Sequence, residues 1–243
     1  MSERAHIEEV YGRRRSNSEL AQRYSLLSPA ELFMVHQRER ELVRHFHRRG
    51  ITAEWLAGSH VLEVGCGSGT NLRRMIDFGI PATNMFGFDL LWEGLEEARV
   101  RCPHLTLAQA DGTAIPFRDA TFDLVLHFTV FSSLPKPETR REFAAEMRRV
   151  LRPNGLILWF DFTVNNPWNP DVKAVTPAEL RTLFPDCDCA FARTVLAPPL
   201  TRVLYPRWPA LCELLGRIPF LLTHYVASLR PNRSGARLPS PTG

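Results

Sequence analysis

The sequence predicts an α/β fold, with one mostly parallel sheet of seven strands and helices on both faces. Three observations predict it. Short apolar runs recur between residues 60 and 162, and most lead into a stretch of helical spacing. One of them, VLEVGCGSG at 61–69, ends in a glycine-rich turn. Of 243 residues, 44% are hydrophobic, enough for one large core, which excludes a largely disordered chain.

Taken in order, residues 19–49 read as a helix whose interrupted apolar face is Leu32, Phe33, Val35, Leu42, Val43 and Phe46. With what precedes them, they would form an N-terminal helical cap over 1–54. Strands follow at 60–65, 85–89, 105–110, 122–128 and 155–162. The helices between and after them fall near 70–78, 92–101, 138–150 and 177–184. The last starts at Thr176-Pro177-Ala178-Glu179, with Thr as cap, Pro in the first turn and Glu three residues on. Two further strands, 188–197 and 221–229, complete the sheet and close the main domain, 55–230. Between them lies a proline-rich insertion, 198–220, with a short helix near 210–216 and the makings of a lid. The run from 231 to 243, PNRSGARLPSPTG, reads as a disordered tail.

No stretch reaches the ~18 apolar residues of a membrane span, and the first residues hold no apolar signal segment. Five scattered cysteines show no zinc-like pairing, so a reduced, cytoplasmic setting and no metal are expected. The net charge of +4 divides as +3 over 1–50, −5 over 51–188 and +6 over 189–243. An acidic centre suits a cationic ligand better than a phosphate backbone, so nucleic acid is not an expected partner. Peripheral contact with a lipid-linked substrate through the Arg- and Leu-bearing insertion stays open.

The chemistry gathers at strand ends. Gly65, Gly67 and Gly69 let the backbone turn sharply and approach a ligand closely. Their G-x-G-x-G spacing differs from the dinucleotide fingerprint, and Glu63 just before them disfavours a pyrophosphate. Asp89 ends the second strand, where a carboxylate can accept both ribose hydroxyls. Asp111-Gly112 follows the third, within reach of an adenine edge. Each aspartate alone reads as a turn or cap residue. The series in order, one at each strand end, is hard to explain as packing.

These residues resemble class I S-adenosylmethionine-dependent methyltransferases of the small-molecule type 11 kind. The matching pieces are LEVGCGSG (62–69), GFDL (87–90), AQADGTAIPFRDATFDLVL (108–126) and EMRRVLRPNGLILWFDF (146–162). The resemblance implies a Rossmann-like fold with S-adenosylmethionine as cofactor. Glu63, Gly65, Cys66, Gly67 and Gly69 would cradle its methionine part, Asp89 and Leu90 its ribose, and Asp111, Gly112 and Thr113 its adenine. His127 stands where that family often has a small residue or Cys, at the end of the central strand. It is a candidate for cofactor contact and catalysis, with a core histidine as the bland reading. Asp161, at the end of the fifth strand, is the other candidate base. Tyr24, Asn165, Asn166, Tyr205 and Trp208 are candidate substrate contacts. The expected activity is methylation of a small molecule, on a hydroxyl of a sugar or natural-product intermediate. C- or N-methylation, and cofactor binding without transfer, are the alternatives.

Overall fold

The computed structural model describes residues 3–16, 24–165 and 172–232. The helices are α1 (Glu3–Ser16), α2 (Pro29–Arg48), α3 (Ala53–Gly58), α4 (Thr70–Asp77), α5 (Trp92–Arg101), α6 (Pro137–Val150), α7 (Pro177–Leu183), α8 (Pro198–Leu204) and α9 (Pro209–Leu215). The strands are β1 (Val61–Val64), β2 (Met85–Asp89), β3 (Thr106–Gln109), β4 (Phe122–Phe128), β5 (Leu151–Phe162), β6 (Cys187–Leu196) and β7 (Leu222–Pro231). They form one sheet in the order β3-β2-β1-β4-β5-β7-β6. β1 to β5 run parallel, and β7 is antiparallel to both β5 and β6. The seven-stranded, mostly parallel sheet expected from the sequence is the sheet observed.

The order reverses at β1/β4: from β1 the chain steps outward through β2 to β3, then returns to place β4 on the other side. In such sheets the carboxyl ends of the strands around that point open a crevice for ligands. Alternation along the strands divides the core in two. Val61, Leu124, Leu126, Phe128, Leu158 and Phe160 face the side covered by α2. Leu62, Val64, Val125, Ile157, Trp159 and Tyr225 face the side covered by α6 and α7. This division decides where each polar side chain of the site can act.

Three boundaries differ from expectation, each for a local reason. The long N-terminal helix starts at Pro29, because proline lacks an N–H and fits only a first turn. Residues 24–28 before it are irregular, and 17–23 lie outside the described residues. β5 begins at Leu151 rather than Gly155, since Leu151 pairs with Phe122 across an irregularity in the register. β7 runs on to Pro231, into the stretch expected as a tail, where Cys187 pairs with it; residues 233–243 lie outside the described residues.

α2 is fastened to the antiparallel edge by polar contacts. The Leu196 N–H donates to Gln37 Oε1 at 3.0 Å, His45 Nδ1 and Ser228 Oγ lie 2.9 Å apart, and Arg49 donates to the Ser228 carbonyl at 2.8 Å. α8 and α9, from the insertion, pack back on α2 through Arg202 with Glu31 at 2.7 Å and Tyr205 against Phe33. No helix among the described residues is long and apolar enough to cross a membrane.

Candidate active site

The turn after β1 is built on left-handed backbone. Gly65, Gly67 and Gly69 have φ of 62°, 48° and 68°, a region L side chains rarely adopt. Their surroundings differ. A Cβ at Gly65 would lie 2.6 Å from Val130, so that glycine is needed for packing; a Cβ at Gly67 would enter open space. The turn is held from several sides. Asp89 accepts the Gly67 N–H at 2.8 Å through one carboxylate oxygen and the Leu91 N–H at 2.9 Å through the other. Arg73 donates to the Ser68 carbonyl at 2.7 Å and Cys66 N–H to the Phe88 carbonyl at 2.9 Å. The buried Cys66 leaves no room for a side chain at Gly87, where a Cβ would lie 2.7 Å from its sulfur; burial pushes its thiol pKa well up. Asp89 thus anchors the loop from the end of β2.

Glu63 is fully enclosed beneath this turn. Oε1 accepts from Asn71 Nδ2 at 2.7 Å, while Oε2 has no hydrogen-bond partner. Burial raises its pKa to about 8. At the end of β2, Leu90 is half-buried and its carbonyl accepts from Gln109 at 3.0 Å. After β3, the exposed Asp111 accepts both the N–H and the hydroxyl of Thr113 at 2.9 Å, making a turn beside the cleft. Gly112 is buried under α6, where a Cβ would lie 2.1 Å from the Phe143 ring. β4 ends in Thr129 at φ 56°, a strained backbone for a β-branched residue and the step that brings Val130 over Gly65.

The glycine turn, Glu63, Asp89 and the Asp111 turn therefore stand together at adjacent strand ends. Residues 61–155 match a family model described as a methyltransferase domain. With the strands that follow they build a sheet of the class I S-adenosylmethionine-dependent methyltransferase fold. Over 140 residues the chain is 36% identical to a phthiotriol/phenolphthiotriol dimycocerosates methyltransferase of Mycobacterium tuberculosis, covering 56% of this chain and 50% of that protein. It is 34% identical over 121 residues to a fatty-acid O-methyltransferase of Mycolicibacterium smegmatis, covering 49% of this chain and 42% of that one. The chain thus spans about half the length of the curated relatives it matches. Among solved structures, an S-adenosylmethionine-dependent methyltransferase from Archaeoglobus fulgidus superposes with a TM-score of 0.55 at 20% identity, covering 82% of this chain and 97% of that one.

The residues present fit S-adenosylmethionine. The unpartnered Glu63 oxygen can accept from an ammonium, the space at Gly67 admits a ligand against the backbone, and Asp89 can accept from hydroxyls. The remaining candidates are dispersed. His127 is fully buried on the α6 side, stacked on Trp159 at 3.4 Å, with Nε2 accepting the Phe131 N–H at 3.0 Å. Burial keeps its pKa well below the usual histidine value, so it is a neutral part of the core. Asp161 lies on the same side, sealed, accepting from Phe162 N–H at 2.8 Å and Ser132 N–H at 3.3 Å, with its pKa raised by burial to about 7. Both stand at strand ends, and strand alternation turns them away from the α2 side.

Asn165 spends its oxygen on the Ala174 N–H at 2.8 Å, and Asn166 lies outside the described residues. Tyr24 is exposed beneath Arg202, and Trp208 is 54% exposed at the start of α9. Tyr205 lines a groove of about 820 Å³ with Leu32, Phe33, Val43 and Phe78, beside the second half of α4 rather than at the glycine turn. The expected polar acceptor site under a Tyr205–Trp208 lid is therefore not assembled by these residues. At the carboxyl ends of β4 and β5 and the amino end of the antiparallel β7, the α2 side instead presents an aromatic wall. His224, neutral with its pKa lowered by burial to about 3, stacks on Phe160 at 5.0 Å and tilts on Phe162 at 4.4 Å. Asn71, the aromatic wall and the residue above it, Arg38, carried no sequence motif. Asn71 is legible only as the polar residue one turn into a helix that opens on glycines.

Proposed function

We propose that the chain transfers the methyl group of S-adenosylmethionine to an oxygen of a lipid-like acceptor, with a carboxylate as the preferred nucleophile. The observation that carries this reading is the clamped glycine turn, open at Gly67 and backed by Glu63 and Asp89. Two further features support the acceptor class. The wall beside the turn is aromatic rather than polar. The candidate bases, His127 and Asp161, are sealed on the opposite side of the sheet. A sugar hydroxyl, being weakly acidic, calls for a base; a carboxylate is ionised at neutral pH and needs none. The name of one relative, the fatty-acid O-methyltransferase, agrees with this choice.

S-adenosylmethionine, when bound, supplies an electrophilic methyl on a positively charged sulfur. The chain's own part is positional. The glycine turn and Asp89 hold one reactant, and the aromatic wall holds the other and excludes water. Fixing both in line can contribute about 7–11 kcal/mol.

The test is a screen with two readouts. S-adenosylhomocysteine should raise the melting temperature and NAD should not; a ligand at 100 times its dissociation constant stabilises by ~2.7 kcal/mol. Incubation with S-adenosylmethionine and long-chain fatty acids should then release S-adenosylhomocysteine and yield methyl esters by mass spectrometry. Release with sugars but not with fatty acids would overturn the acceptor class. Stabilisation by NAD alone would overturn the whole reading.

A further inference from the structure

The buried stripe of α2 runs through Ala30, Met34, Leu42 and Phe46, and Arg38 stands in its middle, where an apolar side chain belongs. Its guanidinium lies 5.1 Å from the centroid of the Phe128 ring and 5.5 Å from that of Phe160. Among the described residues it makes no hydrogen bond or ion pair, and its Nε is sealed from solvent. The acid beside it in sequence, Glu39, is held by Arg74 instead. Glu63 is near enough to be felt electrostatically but does not reach salt-bridge distance. Burial lowers the Arg38 pKa to about 10, which still leaves the group charged at neutral pH. Arg38 is half-buried with only its Nε sealed, so its two terminal nitrogens face open space, and packing does not call for a cation at this position.

We infer that Arg38 is the carboxylate receptor of the active site, an assignment that rests on the methyltransferase reading above. Its planar fork suits a carboxylate, which it can meet with two parallel N–H donors. The aromatic rings beneath it add cation–π attraction and keep water out. Two carboxylates can arrive there. One belongs to the methionine part of S-adenosylmethionine, whose ammonium would take the unpartnered Glu63 oxygen across the gap. The other belongs to an acidic acceptor lying on Phe128 and Phe160.

Three probes separate these sources: S-adenosylhomocysteine, methylthioadenosine (the same nucleoside without the amino acid) and a long-chain fatty acid. Each is titrated by calorimetry into the parent and into Arg38→Met and Arg38→Lys. If the cofactor's carboxylate binds here, Arg38→Met weakens S-adenosylhomocysteine about ten- to a hundredfold and leaves methylthioadenosine unchanged. If the acceptor's binds here, only the fatty acid weakens by that factor. Either result supports the site, and Arg38→Lys should recover part of the loss. The ligand-free Arg38→Met protein should melt no lower than the parent, because it exchanges a half-buried charge that no protein group pairs for an apolar side chain on an apolar stripe. A lower melting temperature with all three probes weakened alike means a structural role and overturns the inference. Parent-like binding of all three by Arg38→Met also overturns it, while the methyltransferase reading stands. A parent that binds neither nucleoside overturns that reading itself.

Discussion

Glu63 couples the site to pH. Burial holds its pKa at about 8 in the ligand-free protein, so at neutral pH the carboxyl is mostly protonated. Accepting from an ammonium requires the ionised form, so binding must release a proton below that value. The affinity for S-adenosylhomocysteine should therefore rise by up to about tenfold per pH unit toward pH 8 and level off above it. Glu63→Gln should bind more weakly and flatten the dependence. Calorimetry across this range checks both; a flat profile in the parent would detach Glu63 from the amino-acid end of the cofactor. The same residue shows what was legible. The grouping of Glu63, Asp89 and Asp111 was readable because each lies in or just beyond the last residues of a strand, in sequence order. His127 and Asp161 occupy strand ends too, but whether a side chain faces the cleft depends on register with α2 and α6, which strand position alone does not reveal. Arg38 stayed hidden because an arginine amid the Arg- and Glu-rich pattern of residues 38–49 reads as solvent-facing.

The insertion between β6 and β7 holds two helices and much of the exposed apolar surface. Pro198-Pro199 reads as a breaker in sequence, yet the pair opens α8, because the first turn of a helix tolerates missing N–H groups. Only the second helix, α9, showed in the apolar spacing. Together they leave large apolar side chains in solvent: Val203 at 66%, Trp208 at 54%, Leu214 at 59% and Phe220 at 80%. Two ion pairs meanwhile tie the element to α2, Arg202 of α8 with Glu31 and Glu213 of α9 with Arg40. An acyl chain passing from the aromatic wall over this surface would cover such residues. Trp208→Ser with Phe220→Ser should thus raise KM for a long-chain acceptor about tenfold, since fully burying one such side chain contributes ~1.5–3 kcal/mol. The affinity for S-adenosylhomocysteine should not change. Equal losses with short and long acceptors would assign the surface to folding rather than to acceptor binding.

At the scale of the whole molecule, the β3-β2-β1-β4-β5-β7-β6 sheet encloses titratable groups on both faces, and they oppose one another as pH changes. His45, His127 and His224 are kept neutral by burial, with His45 lowered to about 4 and His224 to about 3. Unfolding below the ordinary histidine pKa of ~6.5 lets all three take up protons, so their contribution to stability is lost as pH falls through that value. Asp161 and Glu63 work the other way, with pKa values raised to about 7 and about 8. They remain protonated in the folded state where the unfolded chain would ionise them. Their contribution is complete at low pH and is lost as pH climbs from the ordinary carboxyl range toward 7 and 8. From about pH 5 to 6.5 the three histidines outweigh the two carboxyls, and stability rises with pH. Above about 6.5 the histidines add less and less, while the carboxyls go on subtracting until about 8. The ligand-free protein should accordingly be most stable near pH 6.5, with its melting temperature falling on both sides. Asp161→Asn and Glu63→Gln together should remove the alkaline decline and steepen the rise on the acid side, where the two carboxyls otherwise offset part of the histidine gain. Melting curves of the two proteins from about pH 5 to 9 decide it, because an alkaline decline that survives both substitutions would place its cause outside the two buried carboxyls.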